Sequence, residues 1–288
     1  MKLIRRTAIL IAFIYVAACT YMYLAQESLI FKPTNETESV DSVFPGANEL
    51  FISSPQGNNL QTWYKPSKAS SETLVYLHGN AENLSTRGRL INILSEDDRG
   101  LLIFSWGGFG HSSGTPSEVS FYDDARAVFD WLAKEQNLDS SDLILYGESL
   151  GTGVAVQLAT ERDFKGVILA APYTSIAQMA ADDYPWLPVN LLLKHRFDSI
   201  DKIQNVDEPL VIMHSTDDDT IPYMQGVRLF DAATEPKLFM GFEDREHTRF
   251  RSEDIAQAVQ WILERNLKVG SVQRTDPGHK KTRRGGFS

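Results

Sequence analysis

A single cysteine, Cys19, stands in 288 residues, so the chain has neither an internal disulfide framework nor a multi-cysteine metal site. Positive charge is also scarce. The formal net charge is −10; residues 1–30 carry +2 and residues 271–288 carry +4, which leaves −16 on residues 31–270. A body this acidic repels phosphate backbones, which argues against nucleic acid as a partner. It has no internal repeat and no linker long enough to divide it. Its length suits one α/β domain with a substantial core.

Charge is wholly absent from Thr7 to Gln26, a 20-residue run reading TAILIAFIYVAACTYMYLAQ behind Lys2, Arg5 and Arg6. About 20 apolar residues cross a bilayer as a helix, and basic residues ahead of them favour a cytoplasmic N-terminus. Residues 1–27 therefore read as a membrane anchor, with the body beyond residue 28 outside the cytoplasm. A second reading stays open. "VAAC" at 16–19 has the form of a bacterial lipoprotein cleavage box, which would leave a lipidated Cys19 as the first residue; against it, the apolar run continues to Leu24. At the other end, residues 269–288 form a basic tail, read as a solvated, disordered end, with acidic lipid or a partner as the alternative contact.

Between these ends the sequence alternates. "LFIS" and "LQTWYKP", separated by "SPQGNN", read as an antiparallel pair. Six short apolar runs follow at 74–77, 101–104, 143–146, 166–170, 210–214 and 237–241, as expected of strands buried on both faces. Helical patterns lie between most of them. One places Tyr122, Ala125, Val128, Phe129 and Leu132 on a single stripe, and another, capped by Ser252, does so with Ile255, Ala258, Val259 and Ile262. The fold class is α/β, a mostly parallel sheet with helices on both faces and ligands at the C-terminal strand edge. One segment breaks the alternation after the sixth strand. Residues 171–209, with Pro185 and Pro188, read as a short helical insertion, either a lid or acyl-pocket wall or simple packing.

Two G-x-S-x-G patterns compete, around Ser112 and Ser149. Ser149 follows the strand "LILY" and precedes a helical pattern, the strand–turn–helix setting of a nucleophile elbow. Gly147 and Gly151 let strand and helix approach closely there. Ser112 lies in the glycine-rich "SWGGFGHSSGTP" with no helix directly after it, and reads as loop structure. A serine nucleophile needs a base, and the base an orienting acid. His247, after the last strand, is the expected base; His78 and His214, at strand ends, read as structural. Asp217, Asp218 and Asp219 all qualify as the acid by position. The backbone N–H groups of Asn80 and Leu150 are the expected oxyanion donors.

The segments "HGNAEN", "GESLGTG", "APYTS", "KHRFDSIDKI" and "HSTDDDTIP" together resemble the membrane-attached α/β-hydrolases of the depalmitoylase- and lysophospholipase-like branch, over roughly Ser28 to Asn266. The resemblance implies an eight-stranded α/β-hydrolase core over 28–268 and a Ser–Asp–His triad. Its H-G-x-x-D-x-x-[IV]-P signature falls on His214 to Pro222 and selects Asp218, with Ser215 in place of the usual glycine. Its D-Y-R-G-Y-G-x-S-x-G loop appears as "SWGGFGHSSG", where Ser105 and Gly107 replace the charged pair, a loss expected to loosen the loop or alter the pocket. The expected activity is hydrolysis of acyl esters or thioesters, of lipids or lipidated proteins, without metal or organic cofactor. A peptidase or amidase using the same residues, and a non-catalytic scaffold, are the alternatives.

Overall fold

The computed structural model describes residues 1–68 and 72–273; the stretch from 274 onward, most of the expected basic tail, lies outside the described residues. Eight strands form one sheet: β1 Asn48–Ser53, β2 Asn59–Lys65, β3 Thr73–Leu77, β4 Gly100–Phe104, β5 Leu143–Glu148, β6 Gly166–Ala170, β7 Leu210–Ser215 and β8 Lys237–Phe242. Their spatial order is β1-β2-β4-β3-β5-β6-β7-β8. β1 pairs antiparallel with β2 and β2 with β4, while all other neighbours are parallel. This is the expected α/β-hydrolase core.

The central strands are apolar throughout because consecutive side chains enter two different cores. Val75 and Leu77 of β3, Leu145 of β5, Leu169 of β6 and Ile212 of β7 belong to one. It is closed by α3 Glu118–Gln136, α4 Leu150–Ala159 and α7 Tyr223–Ala232. Leu74, Tyr76, Ile144, Tyr146, Ile168 and Val211 point the other way, under α2 Gly88–Leu94 and α8 Ser252–Gln273. The stripes anticipated on α3 and α8 are buried. Ser117 caps α3 by accepting the Ser120 N–H at 3.0 Å, and Asn137 in the left-handed region closes it. Ser252 differs from expectation. Its hydroxyl pairs with Glu96, and Asp254 instead accepts the Arg251 N–H at 2.8 Å.

The N-terminal run forms one helix, α1 Lys2–Ile30, about 44 Å long at 1.5 Å per residue. It continues unbroken past residue 27, and its most apolar stretch is not buried in the protein. Lys32–Pro33 then pairs in parallel with Ala81–Glu82. The polar stretch that follows holds one helical turn, Val40–Val43, with Val43 and Phe44 buried in the second core. The insertion after β6 consists of α5 Ile176–Asp183, α6 Val189–Leu192 and a turn at Ile203–Asn205.

β3 sends its connection to β4 on one side and β5 sends its own to β6 on the other. A crevice therefore opens at the C-terminal ends of these two neighbours. Residues 78–80 and 149 stand at its rim.

The two-sided core makes a definite demand on stability. Ile262 of α8 is fully buried, and a Cβ added at Gly166 of β6 would come within 2.4 Å of it. With strand and helix already this close, little rearrangement can fill a void. Ile262→Ala should cost about 2–5 kcal/mol, read from urea unfolding of the full-length protein.

Candidate active site

Ser149 sits in a backbone conformation that few residues tolerate, φ 50° and ψ −119°, with a strain on the order of 1–3 kcal/mol. Its surroundings hold it there. The Ser149 N–H donates to the Ala170 carbonyl at the end of β6 (2.9 Å), and its own carbonyl accepts from Thr152 N–H at 2.9 Å and Thr152 Oγ1 at 2.6 Å. Both flanking glycines are required for space. A Cβ at Gly147 would lie 2.9 Å from the Ala155 Cβ, and one at Gly151 would lie 2.1 Å from the Leu77 carbonyl oxygen. The turn thus presses the start of α4 against the end of β3.

Three loops meet at this serine. His247, between β8 and α8, brings Nε2 to 3.1 Å from Ser149 Oγ, and its Nδ1 lies 2.7 Å from Asp218 Oδ2. Asp218 follows β7 with its side chain fully buried. Its Oδ1 accepts the Thr220 and Ile221 N–H groups at 2.9 and 2.8 Å. Burial alone would raise its carboxyl, but hydrogen bonding to His214, His247 and the Ile221 N–H outweighs that and holds it well below the ordinary carboxylate range. Its anionic form is therefore strongly favoured. The neighbouring acids are engaged elsewhere: Asp217 accepts the Asp244 N–H and Asp219 the Thr220 hydroxyl.

Asn80 and Leu150 flank Ser149. Leu150 opens α4, where N–H groups and the helix dipole favour negative charge. The turn at 78–80 packs on Ser149 so closely that a Cβ at Gly79 would sit 3.4 Å from the Ser149 Cβ. His78 fixes this turn. Its Nδ1 is 2.8 Å from the Gly79 carbonyl, and its own carbonyl accepts Trp106 Nε1–H at 3.1 Å. Burial, reinforced by Arg87, lowers its pKa to about 3, so the ring is neutral.

Ser112 lies elsewhere. Its hydroxyl donates to the Ser105 carbonyl and accepts the Gln61 N–H, both at 2.8 Å. It stitches the glycine-rich loop to β2. The missing charged pair does not leave that loop untied, because the Gly107 N–H donates directly to Asp124 Oδ2 at 2.8 Å.

Some contacts of this region are not announced by the motifs. Glu148, immediately before Ser149, is almost fully buried; Arg87 Nη1 meets it at 2.9 Å and the Tyr76 hydroxyl donates to it at 3.0 Å. Arg87 Nη2 also donates to the Ala81 carbonyl at 2.8 Å. The network joins the nucleophile turn to the segment carrying Asn80. Ser215, in place of glycine, donates to the Arg245 carbonyl at 2.6 Å, tying the acid loop to the histidine loop. His214, read as structural, stands 3.4 Å from Asp218 Oδ2. A hydrophobic pattern cannot announce these contacts. A charged residue inside a strand-end motif, as at 148, is the one available signal.

Comparison with known proteins gives this geometry a context. Residues 68–200 match the family model described as Serine aminopeptidase, S33, a range that takes in Asn80 and Ser149 and stops before Asp218. The uncharacterized protein Rv2307c of Mycobacterium tuberculosis is 33% identical over 234 residues, 80% of this chain and 83% of that protein. Lysophosphatidylserine lipase ABHD12 of Danio rerio is 30% identical over 203 residues, 62% of this chain and 52% of that protein, so the match spans about half of its length. Among solved structures, the Pyrococcus furiosus esterase Pf2001 aligns with a TM-score of 0.67 at 16% identity, covering 82% of this chain and 98% of that one, a likeness of fold.

Two buried acids give testable consequences. Glu148→Ala would strand the Arg87 guanidinium and should cost about 3–5 kcal/mol of stability, read from chemical unfolding. For Asp124, burial pushes the carboxyl up to about 6 against the opposing bonds from Gly107 and Asn58. Folding thus favours its protonated form. Its contribution is full below the unfolded value of about 4 and is lost as pH rises through about 6, about 3 kcal/mol. Asp124→Asn should therefore gain stability relative to the parent between pH 4 and pH 7, measured as the difference in urea midpoints; a constant difference would refute it.

Proposed function

The chain belongs to the α/β-hydrolase family of serine hydrolases, and from that premise we propose that it cleaves carboxylic esters or thioesters of acyl substrates through an acyl-enzyme on Ser149. The observation that carries this reading is the continuous series Asp218 Oδ2, His247 Nδ1, His247 Nε2, Ser149 Oγ at 2.7 and 3.1 Å, ending on a serine in a strained strand-to-helix turn.

In the first half-reaction Ser149 Oγ attacks the acyl carbonyl carbon as its proton passes to His247 Nε2. The carbonyl π electrons move to oxygen, and the N–H groups of Asn80 and Leu150 receive that oxyanion. Asp218 holds the Nδ1–H tautomer and stabilises the imidazolium. The tetrahedral species collapses, the bond to the alcohol or thiol breaks, and His247 returns its proton to the leaving group. Water then repeats the sequence on the acyl-enzyme, releasing the carboxylic acid and restoring the serine hydroxyl. Each step uses side chains and backbone N–H groups of the chain itself, with water as the second substrate.

An acyl lipid or lipidated protein fits this chemistry best. The Danio rerio relative carries the description of a lysophosphatidylserine lipase, and α1 is long and apolar enough to cross a bilayer. We assign residues 1–27 as the anchor with the catalytic domain, 28–268, outside the cytoplasm. Tyr15 supports this over lipidation at Cys19. Its hydroxyl donates to the Trp186 carbonyl at 3.1 Å, a contact that cleavage before Cys19 would remove. The family description as a serine aminopeptidase favours a second reading, amide cleavage by the same residues. Paired assays with a 4-nitrophenyl ester and the corresponding 4-nitroanilide separate the two.

Ser149→Ala should lower ester hydrolysis by about three orders of magnitude or more, while folded Ser112→Ala retains it. A fluorophosphonate probe should modify Ser149 alone. Mapping of the adduct to Ser112 would overturn the assignment.

A further inference from the structure

We propose that the apolar cleft between the C-terminal turns of α1 and the insertion is the acyl-chain site, with the membrane helix itself as one of its walls. The proposal rests on the ester-hydrolase reading above and names what that site would take: a single long acyl chain delivered from the bilayer.

α1 is built into the body. Gln26, buried near the C-terminal end of the helix, donates through Nε2 to the Leu192 carbonyl at 3.2 Å and accepts the Lys194 N–H at 2.7 Å. Lys194 Nζ also lies 4.6 Å from the centre of the Tyr23 ring and 3.4 Å from Glu27. Farther up, Tyr15 holds Trp186. Between these ties remains an open cleft of about 240 Å³, lined by Met22, Leu29 and Ile30 of the helix and by Ile176, Met179 and Leu187 of the insertion, among others.

Both ends of the cleft lead somewhere. At the inner end, the Ile30 carbonyl accepts Asn80 Nδ2–H at 2.8 Å, and the Lys32 N–H donates to the Asn80 carbonyl at 2.9 Å. Asn80 is the residue whose N–H is assigned to the oxyanion. Ile176 begins α5 six residues beyond Ala170, whose carbonyl holds the Ser149 N–H. The lining is thus joined through single hydrogen bonds and a short stretch of chain to both sides of the nucleophile. At the outer end, the insertion exposes Tyr184 (42%) and Trp186 (52%) beside the uncharged run of α1. Because Trp186 meets Tyr15, midway along the uncharged run, this end of the cleft lies at the depth of the acyl chains. An acyl chain can pass from the leaflet along α1 into the cleft without entering water, with its carbonyl at Ser149 and its methyl end toward the leaflet.

Apolar transfer then dictates chain-length selectivity. An ester presented as a monomer gains about fourfold in kcat/KM for each methylene buried, until the cleft is filled. A helix that served only as a tether would leave chain length to the insertion alone.

The test uses the full-length protein in lipid nanodiscs with acetyl and dodecanoyl esters of 4-nitrophenol. Leu29→Trp on the helix wall and Ala180→Trp on the insertion wall, each filling the cleft, should lower the dodecanoyl-to-acetyl ratio of kcat/KM at least tenfold. Leu10→Trp, on the exposed part of α1, should keep the parent ratio. A diazirine-bearing fatty acid photolysed with the Ser149→Ala protein should label the last two turns of α1 and residues 176–193. An unchanged ratio in Leu29→Trp, or labelling that misses α1, would overturn the proposal. If the parent hydrolyses neither ester while the photoprobe still marks the cleft, the esterase reading fails and the lipid site stands.

Discussion

Everything at the rim of the sheet depends on how closely the start of α4 approaches the end of β3. That approach leaves no room for a side chain at Gly151, whose missing Cβ would clash with the Leu77 carbonyl oxygen at 2.1 Å. It forces Ser149 into its positive φ, lifts the hydroxyl above the strand ends and points the free amides of the helix toward it. The strain is sustained because the core beneath is packed from both faces of the sheet, so relaxing one turn would require moving several strands.

Electrostatics around the turn are arranged by burial and partners together. Asp218 and Glu148 are both withdrawn from water, yet both have donors on each side: imidazole and backbone N–H groups for the first, Arg87 and Tyr76 for the second. One acid faces the histidine; the other supports the loops beneath. His78, also buried but facing a carbonyl and a neighbouring cation, stays uncharged. These are three titratable groups beside one crevice, with three different solutions to desolvation.

Much of this was legible in the sequence. Runs such as "LVYL" and "GVILA" announce strands with two cores, and the setting of Ser149 between a strand and a helix separates it from Ser112 without any structure. The choice among Asp217, Asp218 and Asp219 was different, because adjacent residues on one loop have the same pattern and differ only in direction. A family resemblance singled out the middle one, and it is the one that faces His247. The tie from Ser215 to Arg245 was unreadable for another reason: it joins residues 30 positions apart through a hydroxyl and a backbone carbonyl, and neither leaves a periodic trace. The same holds for Glu148 and Arg87, whose pairing depends on the register of β3 against β5. Ser252 failed as a cap because Glu96, from a distant loop, competes for its hydroxyl.

The double grip on Asn80, by the carbonyl of Ile30 and the amide of Lys32, removes the usual freedom to treat α1 and the body as separable modules. A shortened version made for ease of handling would begin beyond Ile30 and lose the first of those bonds. It would also bare Ile176, Met179 and Leu187 to water and leave the Lys194 amide without the Gln26 side chain. Solubility gained by removing the greasy segment would be offset by a new sticky face on what remains.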